Sequence, residues 1–226
     1  MTKIKICGLT RTEDIEMVNE FLPDYIGFVF AKSRRQVSAE QAKELKNKLR
    51  PAIKAVGVFV NEKPENIAEI ANQGIIDLIQ IHGDEDAAYC AQLRKLTQAP
   101  IIKVVRVERE DDFAGIEAFD CDYYLFDTLS SKEYGGTGKA FDHSLLYNKE
   151  IKKPFFVAGG LNQDNVAAVI EAIKPYGVDT SGGVETDGIK EAVHAAENAQ
   201  RAVLVLGCNP VINSKEVIDW SQLDLP

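Results

Sequence analysis

Eight short apolar segments alternate along the chain with segments of helical character, and this alternation constrains the fold more than any other feature. The apolar segments are rich in Val, Ile, Phe and Tyr and are apolar on both faces, as strands of a parallel sheet covered by helices are. Successive strand–helix units predict such a parallel sheet. An open doubly wound sheet also fits the alternation, but the count of eight favours an α/β fold of the closed (β/α)8 type, a TIM barrel.

The boundaries of the segments follow from apolar periodicity and from capping residues. The predicted strands are Lys3–Cys7, Tyr25–Phe30, Lys54–Val60, Asp77–Ile81, Ile101–Val107, Tyr123–Asp127, Pro154–Ala158 and Gly177–Thr180. The predicted helices are Thr12–Phe21, Ser38–Leu49, Pro64–Gln73, Asp86–Leu96, Asp111–Ala118, Asp142–Tyr147, Gln163–Lys174 and Lys190–Val203. Thr12 is placed as an N-cap, and Ser38 with Gln41 as a capping box. We expect residues 1–203 to form one barrel domain and residues 204–226 a C-terminal extension packed outside it.

Length, charge, apolar runs and cysteine spacing limit the kinds of partner that the protein is expected to bind. The length of 226 residues fits a single barrel of this type, which typically has about 250. With 26 basic and 35 acidic residues, the net charge of −9 gives no basic footprint for nucleic acid. No apolar run approaches the roughly 20 residues of a membrane helix. The four cysteines are scattered without CxxC spacing, which favours a reducing cytoplasm over a disulfide framework. We expect a cytoplasmic monomer or homodimer that binds a small molecule, and neither nucleic acid nor a membrane.

Polar residues at the ends of the strands are the candidates for chemistry, because barrels of this type place their sites at the C-terminal ends of the strands. Glycine-rich ends follow the seventh and eighth predicted strands. Their candidate residues are Gly159, Gly160, Asp179, Ser181, Gly182 and Gly183. Glycine lets backbone N–H groups approach an anion closely, and a helix start adds its dipole. Glycines that only form turns would give a similar sequence pattern, but two glycine clusters, at the ends of these two strands, favour a phosphate site.

Cys7 and Asp127 are the candidate catalytic pair. Cys7 ends the first predicted strand and Asp127 the sixth, so a thiol and a carboxyl would face one cavity from opposite sides of the barrel. This arrangement suits two proton transfers on one substrate. Taken singly, the cysteine is also typical of a small core residue, and the aspartate of a helix cap.

Two further residues are candidates for binding substrate. Arg35 follows the second predicted strand, where a guanidinium can hold a carboxylate with two parallel hydrogen bonds, although a solvated basic turn has the same composition. His82 follows the fourth strand, where it would either bind substrate or close the barrel mouth. The spacing of Cys7, His82 and Asp127 matches no metal set, so no metal is predicted.

Seven short motifs occur in order between the first and the eighth predicted strand. They are Lys5–Thr10 (KICGLT), Gly57–Asn61 (GVFVN), Gln80–Glu85 (QIHGDE), Phe126–Thr128 (FDT), Gly135–Asp142 (GGTGKAFD), Gly159–Asn162 (GGLN) and Asp179–Glu185 (DTSGGVE). Together they resemble the phosphoribosylanthranilate isomerase family of tryptophan biosynthesis. The resemblance covers about residues 3–190, whereas Glu191–Pro226 does not resemble the usual ending of that family.

The resemblance implies an Amadori rearrangement of N-(5'-phosphoribosyl)anthranilate without a cofactor. Asp127 matches the general acid that protonates the ribose ring oxygen. Cys7 matches the general base that removes the proton from C2. Arg35 matches the arginine that holds the anthranilate carboxylate, and the glycine clusters would hold the 5-phosphate. The glycine-rich segment Thr128–Lys139 is expected to close over the substrate and exclude water.

Other phosphate-binding barrels are the alternatives. The aminoaldose isomerase of histidine biosynthesis uses paired aspartates, whereas one position here is Cys7. Indole-glycerol-phosphate synthase needs a lysine at a strand end, and Lys3 and Lys5 precede that end. A metal-dependent pentose-phosphate epimerase needs several histidines at its metal site, and this chain has only three in total, which argues against that alternative. A barrel that only binds phosphosugars or another subunit would need neither Cys7 nor Asp127.

Overall fold

The chain folds into a closed barrel of parallel strands, each paired with the next and β8 with β1. A computed structural model describes residues 2–128, 143–147, 149–162 and 164–181. The strands are β1 (Lys3–Cys7), β2 (Tyr25–Val29), β3 (Lys54–Phe59), β4 (Leu78–Ile81), β5 (Ile101–Val107), β6 (Tyr123–Thr128), β7 (Phe155–Val157) and β8 (Gly177–Thr180). The predicted barrel is therefore confirmed, and the open sheet is ruled out.

Helices follow most of the strands on the outside of the barrel. The described α-helices are α1 (Thr12–Phe21), α2 (Ala39–Asn47), α3 (Pro64–Asn72), α4 (Ala87–Leu96) and α5 (Val166–Ile173). Ser38 caps α2 by accepting a hydrogen bond from the Gln41 N–H at 3.1 Å, and Asp86 caps α4 in the same way. These bonds satisfy N–H groups that have no partner inside the helix. Within the described part of the chain, no helix is long and apolar enough to cross a membrane.

Two apolar layers hold the barrel together. The interior is filled by side chains that point inward from the strands, namely Tyr25, Val56, Leu78, Ile102, Val104, Leu125, Phe156 and Ala158. A larger cluster lies between the strands and the helices and includes Ile6, Ile15 and Val18. Because side chains alternate along a strand, Ile6 faces that outer layer while its neighbours Lys5 and Cys7 face the interior.

The structure departs from the predicted elements in several details. Thr12 is the first residue of α1 and not its N-cap, because the Asp14 carboxylate accepts the N–H groups of Thr10 and Arg11 instead. The helix expected after β5 is split into two 3-10 turns by Gly115, which has a φ of 76°. A 3-10 turn, His143–Leu146, replaces the helix expected after β6.

Several predicted features lie outside the described residues. These are most of the loop Thr128–Lys139, the last helix Lys190–Val203 and the extension 204–226. The predicted division at residue 203 therefore stays a prediction.

Candidate active site

Cys7 lies at the C-terminal end of β1, half-buried and directly beside Gly27 of β2, its partner in the strand register. A Cβ atom at Gly27 would lie 2.5 Å from Cys7 Sγ, so only a glycine leaves room for the thiol. Burial raises the pKa of Cys7, and the Asp179 carboxylate adds to this effect. The positive charges of Lys5 and Arg35 act in the opposite direction. The thiol therefore lies in an environment that contains both signs of charge.

Lys5 and Asp179 form an ion pair inside the barrel, below Cys7. Lys5 Nζ lies 2.6 Å from Asp179 Oδ2, and the two residues are register partners on β1 and β8. Lys5 is fully buried and Asp179 is 8% exposed. Burial raises the pKa of Asp179, which Lys5 opposes, while the nearby Asp127 raises it further. The pair is thus in electrostatic contact with both predicted catalytic residues.

Asp127 on β6 is buried and lies against His82 at the end of β4. His82 Nε2 is 3.3 Å from Asp127 Oδ2, and His82 Nδ1 is 3.0 Å from the Gln80 amide nitrogen. An amide N–H that donates to Nδ1 leaves the ring proton of a neutral imidazole on Nε2, where it can be donated to the carboxyl oxygen. Gln80 and His82 share one face of β4, so the strand itself fixes this chain of contacts.

A second buried ion pair holds the backbone that carries His82. The Glu85 carboxylate accepts the N–H groups of Gly83 and Asn61, both at 2.8 Å, and lies 3.3 Å from Lys103 Nζ. Arg106 donates to the His82 carbonyl at 2.7 Å. These contacts connect the ends of β3, β4 and β5, and they orient the imidazole through its main chain.

Arg35 is brought to the site by a loop that folds back on β2. Val37 N–H donates to the Val29 carbonyl, and the Gln36 side chain donates to the Phe30 carbonyl at 3.0 Å. The Arg35 side chain crosses Gly8, where an added Cβ would lie 2.4 Å from Arg35 Cδ. Gly8 also has a φ of 96°, which favours glycine. The guanidinium is therefore next to Cys7.

The glycine-rich ends of β7 and β8 lie side by side. Gly159 and Gly160 both have positive φ values, and the Gly160 carbonyl accepts a hydrogen bond from the Asn165 side chain before α5. Ser181 Oγ donates to the Cys7 carbonyl at 2.9 Å, so it connects the eighth strand end to the first. Gly182 and Gly183 lie outside the described residues.

The predicted site residues that the structure describes all lie at one end of the barrel. Cys7, Arg35, Asp179 and Ser181 are grouped around β1, while His82 and Asp127 form a contact between β4 and β6. Lys5 and Gln80 were not among the predicted site residues, since both precede the strand ends. The signal available was their spacing, because each lies two residues before a candidate on the same strand face.

The family model for N-(5'-phosphoribosyl)anthranilate (PRA) isomerase matches residues 4–200 of the chain. The chain belongs to the N-(5'-phosphoribosyl)anthranilate isomerase family. The match extends slightly beyond the segment in which the motifs occur. It confirms the predicted family and the predicted isomerase class, while the roles of individual residues stay predictions.

Relatives in this family are similar over most of their length. The N-(5'-phosphoribosyl)anthranilate isomerase of Thermoanaerobacter pseudethanolicus is 47% identical over 191 residues, which is 84% of this chain and 93% of the relative. The crystal structure of the Thermotoga maritima phosphoribosyl anthranilate isomerase has a TM-score of 0.76 at 34% identity, covering 88% of this chain and all of that one. A family structure in complex with reduced 1-(o-carboxyphenylamino)-1-deoxyribulose 5-phosphate has a TM-score of 0.70 at 33% identity, with coverage of 88% and 100%.

Proposed function

We propose that the chain converts N-(5'-phosphoribosyl)anthranilate into 1-(2-carboxyphenylamino)-1-deoxyribulose 5-phosphate by general acid–base catalysis. The observation that carries the proposal is the placement of a thiol and a buried carboxyl, Cys7 and Asp127, at one end of a barrel of this family. A related structure that holds the reduced product analogue supports the substrate class. The reaction requires two proton transfers, and the site contains two groups suited to them.

Asp127 acts first, as the general acid. It gives its proton to the ribose ring oxygen, the bond from C1 to that oxygen breaks, and an iminium forms at C1. His82 supports this role by position: its Nε2 lies 3.3 Å from Asp127 Oδ2, and the Gln80 side chain contacts its other ring nitrogen.

Cys7 acts second, as the general base. The iminium at C1 acidifies the proton on C2, and the Cys7 thiolate removes it to give an enolamine. The enolamine then tautomerises to the ketone at C2. The thiolate is the competent form of the cysteine, and the positive charges of Lys5 and Arg35 oppose the effect of burial on its pKa.

The remaining site residues bind the substrate. Arg35 holds the anthranilate carboxylate, for which a guanidinium has the matching bidentate geometry. The 5-phosphate binds at the ends of β7 and β8. Gly159 and Gly160 have positive φ values there, and because they carry no side chains, their backbone can approach an anion closely. Asp179 and Ser181 border that end of the site from β8.

The test is a fluorescence assay on freshly prepared phosphoribosylanthranilate, in which turnover removes the substrate signal. We expect activity in the wild type and none in Cys7→Ala or Asp127→Asn, with binding of the reduced product analogue retained in both. Cys90→Ala is the matched control, because Cys90 is a free thiol on the buried face of α4 and its replacement should keep turnover. Loss of analogue binding together with activity would make the two residues structural. A folded wild type without turnover would refute the proposed reaction.

A further inference from the structure

Lys5 is a charged residue in a place where a stable barrel has no need of one. Its side chain is fully buried among the inward-facing residues, and its partner Asp179 is 8% exposed. Removing two charges from water is costly, and an apolar pair of the same volume is often as stable or more so. A contribution to the stability of the barrel therefore does not explain the Lys5–Asp179 ion pair. A role for the Lys5 ammonium in its interaction with a neighbouring group explains it better.

The residue above Lys5 on the same face of β1 is Cys7. Side chains two positions apart on a strand point the same way, about 6.6 Å apart along its axis. A lysine side chain is long enough to cover that distance, and the positive charge of Lys5 acts to lower the pKa of Cys7. The ammonium has three N–H donors, so it can contact Asp179 and Cys7 together.

Asp179 keeps the ammonium charged. Burial lowers the pKa of Lys5, but the charges of Asp179 and Cys7 outweigh it, and the pKa is raised above its usual value. Asp179 Oδ1 has no hydrogen-bond partner among the described residues, so the Lys5 contact is the described bond that holds this carboxylate. The pair therefore presents a fixed positive charge to the thiol.

We propose that Lys5, held by Asp179, is a positioning residue that stabilises the Cys7 thiolate as it removes the C2 proton. Arg35 acts on the same thiol from the loop after β2, and Asp127 and His82 act on Asp179 from β6 and β4. Lys5 differs from Arg35 because it approaches from inside the barrel and leaves the mouth free for substrate. The inference rests on the proposed role of Cys7 as the base.

The experiment measures the ionisation of Cys7 without using turnover. The rate of alkylation of Cys7 by iodoacetamide is followed against pH by mass spectrometry of its peptide, in the wild type, Lys5→Gln and the double variant Lys5→Gln/Asp179→Asn. We expect the midpoint to rise by about one pH unit in Lys5→Gln, which is about tenfold in rate at a fixed pH below the midpoint. The rise should be smaller in the double variant, because that variant also removes the Asp179 charge, which acts on the thiol in the opposite direction and less strongly than Lys5. The double variant leaves no unpaired buried charge, so it keeps the test valid if the single variant fails to fold.

The matched control is the double variant Lys3→Gln/Asp24→Asn. It removes the ion pair that Lys3 forms at the opposite end of β1, away from the thiol and from the proposed catalytic groups. Its Cys7 midpoint should equal that of the wild type. A midpoint that does not rise in a folded Lys5→Gln variant, or in the folded double variant if the single variant does not fold, would overturn the inference, even if activity falls. If the wild type does not turn over substrate, the proposed reaction fails, while the thiol midpoints still decide the role of Lys5.

Discussion

Gly27 provides a direct test of how closely catalysis depends on the position of Cys7. A Cβ at this position would lie 2.5 Å from Cys7 Sγ, about 0.9 Å short of the 3.4 Å at which ordinary van der Waals contact begins. It would also lie 3.1 Å from Cys7 Cα, so rotating the thiol alone does not relieve the contact. Gly27 is not among the glycines with positive φ, so the substitution adds no backbone strain.

We expect Gly27→Ala to lower kcat by about 100-fold, because a displacement of about 1 Å at a reacting group costs on that order. KM should change by much less, since the three atoms nearest to the new methyl group all belong to Cys7 and not to the proposed substrate-binding residues. Inserting a methyl group into a packed interior also lowers the free energy of unfolding, by about 1–3 kcal/mol. The fluorescence assay gives kcat and KM, and urea unfolding gives the stability.

Gly57→Ala is the matched control on the neighbouring strand β3. A Cβ there would lie 2.6 Å from Ile76 Cδ1 and 2.8 Å from Phe59 Cε2, which belong to the outer apolar layer. It should lower stability by a similar amount and leave kcat near that of the wild type. A folded Gly27→Ala enzyme with wild-type kcat would refute the dependence on thiol position. An equal loss of kcat in Gly57→Ala would show that general overpacking is the cause.

Two further predictions concern the substrate and the proton transfers. Arg35→Ala should raise KM more than it lowers kcat, because the lost contact is to the anthranilate carboxylate and not to the reacting atoms; an unchanged KM in steady-state assays would remove Arg35 from the binding site. EDTA should leave the rate unchanged, because side chains perform both proton transfers; inhibition by EDTA that is reversed by added metal would contradict this mechanism.

The fold and the positions of most site residues could be predicted from the sequence, because the order of the strands in a parallel barrel follows their order in the chain. Each strand pairs with the next, so a residue at the end of any strand must lie at the same rim. Cys7, His82 and Asp127 could therefore be placed by their strand ends alone. The predicted strands agree with the structure to within one residue at each end, and β1, β5 and β8 agree in full.

The errors have physical causes that act beyond a single element. The predicted bounds of the helix Thr12–Phe21 are correct, but Thr12 is not its N-cap, because the Asp14 carboxylate satisfies the N–H groups of Thr10 and Arg11. The capping box at Ser38 is half formed, because the Gln41 side chain donates to the Thr10 carbonyl at 2.8 Å instead of returning to its own helix start. Both outcomes depend on competition among nearby polar groups, which residue preferences do not resolve.

Lys5 was missed for a different reason, since its importance depends on register. In the sequence, a lysine two residues before the end of a strand does not look like a site residue. Only the pairing of β1 with β8 shows that the ammonium of Lys5 contacts the Asp179 carboxylate. The same pairing connects the two proposed catalytic groups, because Asp179 interacts with Lys5 on one side and with Asp127 and His82 on the other. The charge of Asp179 thus acts on Cys7 and interacts with that of Asp127. A change at Asp179 should therefore move both limbs of a pH–rate profile, although Asp179 transfers neither proton.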